Sequence, residues 1–203
     1  MQECPRCFWL TQHNVWKRPV GIFPSLPSGM DKILKEHFNK FMEKGQLPPE
    51  LCGNGECKNM KLFNDYELLA IWRSNFKGIV WEDKDGNILK GAVDNILMKG
   101  KKLIVLDYKT RGYELKEDTA EHYQNQLDIY NFLLRKAGYD TEDYAFLLFY
   151  VPREVTETGE VIFDTTLKKM KINVKNAENI FKKAIKLLNG ECPQKSCEWC
   201  DGR

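Results

Sequence analysis

The chain has 203 residues, and 42% of them are apolar, which is enough for one hydrophobic core at this length. Lysine and arginine total 31 against 29 acidic residues, and this near-balance excludes a histone-like basic protein and an acidic disordered tail. No apolar run is long enough to span a membrane, and the first residues form no secretory signal, so we expect a cytoplasmic protein with no membrane partner. The length predicts a single domain over residues 1–203.

The first third of the chain is predicted to contain one helix between two irregular stretches. Prolines punctuate the sequence up to about Gly29, which we expect to be irregular. Apolar residues at helical spacing then predict a helix from Ser28, a good N-terminal cap, to Gly45, which can end a helix. Residues 46–64 contain two adjacent prolines and two cysteines, and we expect them to form a loop.

The middle of the chain has the shorter period of β-strands. Residues 77–83 and 88–98 predict two strands joined by a turn at Asp85-Gly86-Asn87. A second turn at residues 99–101 leads into the apolar run 103–106. Four consecutive apolar residues are typical of a central strand that is buried on both faces.

The last third of the chain is predicted to contain a helix, then strands, then a final helix. Residues 119–137 predict a helix that Gly138 ends, and residues 144–151 predict a strongly apolar strand. Residues 161–174 predict one or two more strands, and residues 178–188 a final helix. A helix that connects strands of one sheet is a crossover, so the fold class is a mixed α/β domain.

Two neighbouring predicted strands each carry an aspartate, Asp94 on one and Asp107 on the other. Positions two apart on a strand face the same side, so Asp107 and Lys109 point the same way. If the strands pair, both carboxylates converge on one hard cation such as Mg²⁺, and Lys109 can orient the attacking water or neutralise a phosphate. Carboxylates at strand ends often only cap turns, but Asp107 follows a buried apolar run, where an unpartnered charge is expensive.

Three short motifs occur in order along this part of the chain. They are Gly91-Ala92-Val93-Asp94, Asp107-Tyr108-Lys109 and, on the following helix, Gln126-Leu127-Asp128-Ile129-Tyr130. This series resembles the PD-(D/E)XK nuclease superfamily, specifically its RecB-like branch, which includes recombination helicase–nuclease domains and the CRISPR-associated adaptation nuclease. The resemblance implies a restriction-endonuclease-like mixed β-sheet flanked by helices.

The resemblance also implies roles for individual residues. Asp94 and Asp107 would hold Mg²⁺ or Mn²⁺, and Lys109 would assist the attacking water. Gln126 and Tyr130, one turn apart on one helix face, would support the site and the DNA strand. From the residues alone, Tyr130 is more simply a core aromatic and Gln126 a helix-surface residue.

Relatives of this branch commonly add a metal-ligating histidine from the first helix. This chain has no histidine at the usual place after Gly29, and His37 is the first one on that helix. His37 is therefore the candidate third metal ligand, although a histidine on a mixed helix face is more often a packed or surface residue. Asp31 and Glu36 are alternative acids on the same helix.

Seven cysteines are present, and four of them form two C-x-x-C pairs at opposite ends of the chain. Cys4 and Cys7 form the first pair, and Cys197 and Cys200 the second. Two such loops supply a complete tetrahedral thiolate set, which fits structural zinc or an iron–sulfur cluster equally. We expect this metal to clasp the termini, with Cys192 as the alternate ligand to Cys7.

The RecB-like resemblance implies a [4Fe–4S] cluster at this clasp. Relatives bind the cluster through one cysteine of an N-terminal C-P-R-x-[FY] segment, which Cys4-Pro5-Arg6-Cys7-Phe8 matches, and through three cysteines near the C-terminus. This chain departs from that pattern, because Cys200 has no cysteine after it. Zinc and iron–sulfur therefore both remain open.

The predicted function is a Mg²⁺- or Mn²⁺-dependent deoxyribonuclease of DNA repair, recombination or defence. Its partner would be DNA, single-stranded or at duplex ends, and a helicase or integrase partner is left open. We expect basic residues near the acidic pair, and tryptophans that could stack on unpaired bases. The basic residues are Lys99, Lys101, Lys102, Lys109 and Arg111, and the tryptophans are Trp9, Trp16 and Trp81. The rival hypotheses are a catalytically inactive nucleic-acid-binding module on the same fold and a zinc-stabilised interaction protein.

Overall fold

The computed structural model describes residues 3–19, 21 and 25–202. They fall into two units. The described residues of 1–24 and 178–203 form one unit, and Ser25–Ala177 forms the other. The expectation of a single domain over residues 1–203 stays a prediction. Among the described helices, none is both long enough and apolar enough to cross a membrane.

The described elements alternate between helices and strands. The helices are α1 Pro5–Gln12, α2 Ser25–Glu43, α3 Pro49–Cys52, α4 Tyr66–Trp72, α5 Gln124–Lys136 and α6 Val174–Leu188, with short 3₁₀ turns at Gly55–Cys57 and Glu121–Tyr123. The strands are β1 Met60–Leu62, β2 Ile79–Glu82, β3 Ile88–Gly91, β4 Asn95–Lys99, β5 Lys102–Thr110, β6 Tyr144–Val155 and β7 Val161–Lys171.

A five-stranded mixed sheet of order β1-β4-β5-β6-β7 forms the centre of the larger unit. Only the β5–β6 pair is parallel among these five strands, and α5 makes the crossover between them. Residues 104–106 of β5 are completely buried, so the prediction of a central strand there is confirmed. β2 and β3 form a separate two-stranded hairpin.

Helices cover both faces of this sheet. Tyr108 of β5 packs against Phe38 of α2, with ring centroids 4.7 Å apart. Lys109, the next residue, lies over the ring of Tyr123 at the start of α5. Because successive residues of a strand point to opposite faces, Asp107 shares the α5 face with Lys109. The predicted restriction-endonuclease-like α/β fold, a mixed sheet flanked by helices, is confirmed.

The prediction of one strand over residues 88–98 is wrong. The chain forms β3 up to Gly91 in the hairpin and then β4 from Asn95 in the main sheet. The cause is a tertiary contact: a Cβ on Gly91 would lie 2.9 Å from Leu133 Cδ1 and 3.0 Å from the Tyr130 ring. The hairpin therefore packs directly on α5, and residues 92–94 carry the chain across to the sheet.

Other helices and strands also differ from the prediction. The N-terminal stretch expected to be irregular contains α1 Pro5–Gln12, which has a proline at its start and Cys4 as N-cap; residues 1–2, 20 and 22–24 of that stretch lie outside the described residues. The predicted loop 46–64 contains α3, a 3₁₀ turn and β1. Helix α4 had not been predicted, although Asp65 caps it by accepting a hydrogen bond from the Leu68 N–H.

Candidate active site and cysteine cluster

The two aspartates lie next to each other across the β4–β5 pair. β4 and β5 are antiparallel with Asn95 opposite Leu106, and Asp94 is the residue just before β4. The Asp94 Oδ2 atom accepts a hydrogen bond from the backbone N–H of Tyr108 at 2.9 Å. This bond ties the Asp94 carboxylate to the backbone of β5 immediately after Asp107.

Asp107 is the most buried acid of this group, with 1% of its surface exposed. Burial, with a further contribution from the negative charge of Asp94, raises the pKa of Asp107 to about 7, and the Lys109 ammonium partly opposes the rise. Lys109 forms an ion pair with Asp107 Oδ2. Two carboxyl groups that repel each other, only one of them paired with Lys109, form a site that a further positive charge would stabilise.

Two lysine side chains lie beside the aspartates. The Lys109 ammonium lies 4.7 Å from the centroid of the Tyr123 ring, which holds it on the α5 face by a cation–π contact. Lys35 of α2 lies 3.4 Å from Asp94 Oδ1 and 2.7 Å from Asp31 Oδ1. Lys35 could not be predicted from the sequence, because nothing in its local pattern distinguishes it from other helix-surface lysines.

The backbone of Asp94 is also fixed from α4. The Arg73 Nε donates to the Asp94 carbonyl at 2.7 Å, and its Nη1 donates to Asn39 Oδ1 at 2.7 Å. Burial lowers the pKa of Arg73. This arginine joins α4, α2 and the segment before β4, and it was not found from the sequence because α4 itself was not predicted.

Helix α5 brings the third motif to the same place. Gln126 Nε2 donates to the Tyr130 hydroxyl at 2.7 Å. Burial raises the pKa of Tyr130, and the negative charge of Asp107 raises it further. Tyr130 therefore keeps its proton beside the two aspartates, and Gln126 orients its hydroxyl.

The three motifs thus meet at one position between β4, β5 and α5. A family model of the PD-(D/E)XK nuclease superfamily matches residues 28–202. The chain belongs to the PD-(D/E)XK nuclease superfamily. A comparison with curated proteins gives no match. The superfamily is a class of nucleases, and its members typically use divalent metals.

His37, the predicted third metal ligand, lies apart from the acidic pair. His37 Nε2 lies 3.0 Å from Glu50 Oε1, and the Tyr150 hydroxyl donates to the same oxygen at 2.9 Å. These three side chains line a cavity of about 610 Å³ whose described lining contains neither Asp94 nor Asp107. The structure therefore does not bring His37 to the acidic pair. Of the alternatives, Asp31 pairs with Lys35, and Glu36 is exposed.

The lysines of the β4–β5 turn are also distant from the acids, contrary to the expectation. Lys102 begins β5 and Asp107 lies five residues further along the strand, so their Cα atoms are about 17 Å apart. Lys99 and Lys101 lie in or beside the same turn. Lys109 and Arg111 are the basic residues of that predicted set that lie at the acidic end of β5.

The predicted stacking tryptophans have intramolecular contacts instead. Trp9 stacks on His13 and donates to the Gly190 carbonyl. Trp16 packs against the buried cluster of Cys4, Cys7, Leu10 and Cys200. Trp81 packs edge-on against Phe132 of α5. These contacts are those of structural aromatic residues.

The donor set of the acidic pair suits a hard divalent cation. The ligand atoms offered are carboxylate oxygens of Asp94 and Asp107, which Mg²⁺ and Mn²⁺ prefer. A cation would also relieve the charge repulsion that raises the pKa of Asp107. The rival hypothesis of an interaction protein without phosphodiester chemistry required the two aspartates to point apart, and this arrangement disfavours it.

Four cysteines meet in the smaller unit. The sulfurs of Cys4, Cys7, Cys197 and Cys200 all lie within 4.8 Å of one another, and this set could hold a metal ion. It is the set predicted from the two C-x-x-C pairs. Cys192, the predicted alternate, is not part of this group, and its sulfur instead contacts the Pro193 carbonyl at 3.9 Å.

Proposed function

We propose that this protein is a metal-dependent nuclease that hydrolyses phosphodiester bonds of DNA. One observation carries the proposal: a buried carboxyl, Asp107, lies beside a second carboxyl, Asp94, and in contact with the Lys109 ammonium. Membership of the nuclease superfamily supports the same class of reaction. Burying the Asp107 carboxyl beside the charge of Asp94 opposes folding, so this arrangement favours a catalytic role over a structural one.

Asp94 and Asp107 would hold the divalent cation. When bound, Mg²⁺ or Mn²⁺ would stabilise negative charge on the phosphate and make a water molecule more acidic. Asp94 is held for this task through the Tyr108 N–H at one oxygen and Lys35 at the other. Asp107 has to be ionised to act as a ligand, so cation binding and loss of its proton are linked.

Lys109 would act on the reacting phosphate. Its ammonium contacts Asp107 and rests on the Tyr123 ring, so it is confined within reach of any group that Asp107 helps to position. An ammonium there can donate to the attacking water or to a phosphoryl oxygen and can neutralise charge that develops in the transition state. This role needs a positive charge and a hydrogen-bond donor at one point.

Tyr130 and Gln126 would position the site from α5. Tyr130 remains protonated because its pKa is raised, and its oxygen accepts from Gln126. A neutral hydroxyl beside the acids can donate to a carboxylate or to the DNA strand without adding charge. These two residues are positioning residues in our proposal.

The substrate in our proposal is DNA, single-stranded or at duplex ends, as in the RecB-like branch. Arg111 and Tyr113 support a nucleic acid in this position, because they lie two and four residues after Lys109, just beyond the end of β5, and Tyr113 is 83% exposed. An exposed aromatic ring is suited to stack on an unpaired base, and a basic residue nearby in the chain is suited to contact the phosphate backbone. We propose no helicase or integrase partner.

The test is digestion of end-labelled single-stranded and double-stranded DNA with Mg²⁺ or Mn²⁺. We expect cleavage by the wild type, loss of cleavage in Lys109→Ala, and retained cleavage in Lys101→Ala, a matched lysine from the β4–β5 turn. Folding of both variants is checked by circular dichroism. Metal-independent binding of DNA without cleavage by the wild type would instead support the inactive binding module.

A further inference from the structure

The separations of the four clustered sulfurs identify the kind of metal centre that they fit. Cys4 Sγ lies 3.8 Å from Cys200 Sγ, Cys7 Sγ lies 3.5 Å from Cys197 Sγ, and Cys197 Sγ lies 3.8 Å from Cys200 Sγ. All pairwise separations are within 4.8 Å. The four sulfurs therefore surround one small volume.

A single tetrahedral ion requires such separations. With Zn–S bonds of about 2.3 Å, the edge of a regular sulfur tetrahedron is about 3.8 Å. In a [4Fe–4S] cluster each cysteine binds a different iron at a different corner of a cube, so the cysteine sulfurs lie roughly 6 Å apart. The four sulfurs match the first geometry and are too close together for the second.

The two loops that carry the cysteines support a closed mononuclear site. The Cys7 N–H donates to Cys4 Sγ at 3.4 Å, so the first loop turns both of its thiols toward one point. The backbone N–H of Trp199 donates to Cys197 Sγ in the second loop. Hydrogen bonds from the backbone to thiolates hold ligands in place and offset their negative charge.

The surroundings of the cluster are those of a structural metal site, rather than of a catalytic site with an open coordination position. Cys4 and Cys7 are 6% exposed and Cys200 is fully buried. Arg18 places its guanidinium 3.7 Å from Cys7 Sγ and 5.7 Å from the centroid of the Trp199 ring. One Zn²⁺ with four thiolates has a net charge of −2, and a neighbouring guanidinium partly neutralises it.

We infer that Cys4, Cys7, Cys197 and Cys200 bind one Zn²⁺ ion in a closed tetrahedral site, and that this chain does not carry the [4Fe–4S] cluster implied by its resemblance to the RecB-like branch. All four coordination positions are occupied by sulfur, so the ion has no open position for a substrate. Its contribution is to folding, since a thiolate site of this kind does not exist in the unfolded chain.

The first experiment measures the metal of the wild-type protein, expressed with both iron and zinc in the medium and purified without oxygen. Elemental analysis and an inorganic sulfide assay give the composition, and X-ray absorption at the zinc edge gives the ligand shell. We expect one zinc per chain, no sulfide, and a single shell of four sulfurs at about 2.3 Å. Four irons with four sulfides, or one iron in place of zinc, would overturn the inference.

A pair of matched cysteine variants tests the ligand set. Cys197→Ser removes one of the four sulfurs, whereas Cys192→Ser removes a thiol of the same segment that lies outside the group. We expect Cys192→Ser to retain one zinc per chain, and Cys197→Ser to bind zinc at least tenfold more weakly in competition with a chromophoric chelator. Loss of zinc from Cys192→Ser, or equal affinity in both variants, would contradict the assignment. These measurements do not depend on nuclease activity.

Discussion

Replacing Asp107 by asparagine should stabilise the metal-free protein at alkaline pH while it abolishes nuclease activity. Asparagine has the shape of the protonated acid and carries no charge. The wild-type carboxyl is almost completely buried beside Asp94, and these surroundings raise its pKa to about 7. The folded protein therefore disfavours the ionised form, and the unfolded chain does not.

The magnitude follows from the pKa rise. Each pKa unit corresponds to about 1.4 kcal/mol, so the rise from the usual 3.8 to about 7 corresponds to about 4 kcal/mol. The pKa of Asp107 is higher in the folded protein than in the unfolded chain. The contribution of Asp107 to the free energy of unfolding is therefore greatest below about pH 4, and it is lost as the pH rises through about 7. Between pH 5 and pH 8 the wild type should lose about 2.5 kcal/mol relative to Asp107→Asn.

The assay is urea unfolding of both proteins at several pH values without added divalent cations. Differences between the two proteins cancel the contributions of titrating groups that do not interact with Asp107. Asp143→Asn is a control of opposite sign, because the hydrogen bond from Arg135 lowers the pKa of Asp143. The control should be less stable than the wild type at pH 8, by an amount that shrinks toward acid pH.

A difference between wild type and Asp107→Asn that is independent of pH would refute the raised pKa. Added Mg²⁺ gives a second check. It should stabilise the wild type at pH 8, by about 2.7 kcal/mol at a hundredfold excess over the dissociation constant, and should leave Asp107→Asn unchanged. Equal stabilisation of both proteins would place the cation elsewhere.

Further predictions concern packing, substrate and pH. Gly91→Ala forces a methyl group against α5 and should lower the free energy of unfolding by about 1–3 kcal/mol, whereas Gly112→Ala, which meets nothing within 4 Å, should not. Tyr113→Ala should weaken binding of single-stranded DNA about tenfold in a fluorescence titration and leave metal affinity unchanged, in keeping with the stacking of bases on exposed rings. Cleavage at subsaturating Mg²⁺ should rise with pH up to about 7, because Asp107 must lose its proton, and more Mg²⁺ should shift this rise to lower pH. A flat pH profile would contradict that linkage.

The central sheet and the acidic pair could be predicted because their signals are local in sequence. The run 103–106 predicts a buried strand, which the structure confirms, and a charge directly after it requires a partner. The turn at residues 99–101 then fixes the pairing that brings Asp94 beside Asp107. The roles assigned to these residues, and to Lys109, stay predictions until they are measured.

The contacts that sequence analysis missed all join elements distant along the chain. Lys35 and Arg73 reach Asp94 from α2 and α4, and neither residue has a local pattern that predicts this. The break between β3 and β4 depends on the close approach of Gly91 to α5, which is visible only once the hairpin is placed. The choice between zinc and an iron–sulfur cluster likewise depends on distances between sulfurs, and spacing in the sequence does not contain them.

The β2–β3 hairpin has a consequence for engineering this protein. Its turn is solvent-exposed at Lys84, Asp85 and Gly86, and the four residues of β3 set it about 13 Å from Gly91, where the hairpin is anchored to α5. A segment inserted into this turn would extend into solvent from the anchored hairpin and would not alter the residues around Asp94. A programmable DNA-binding module could thus be inserted here while both chain ends stay unmodified.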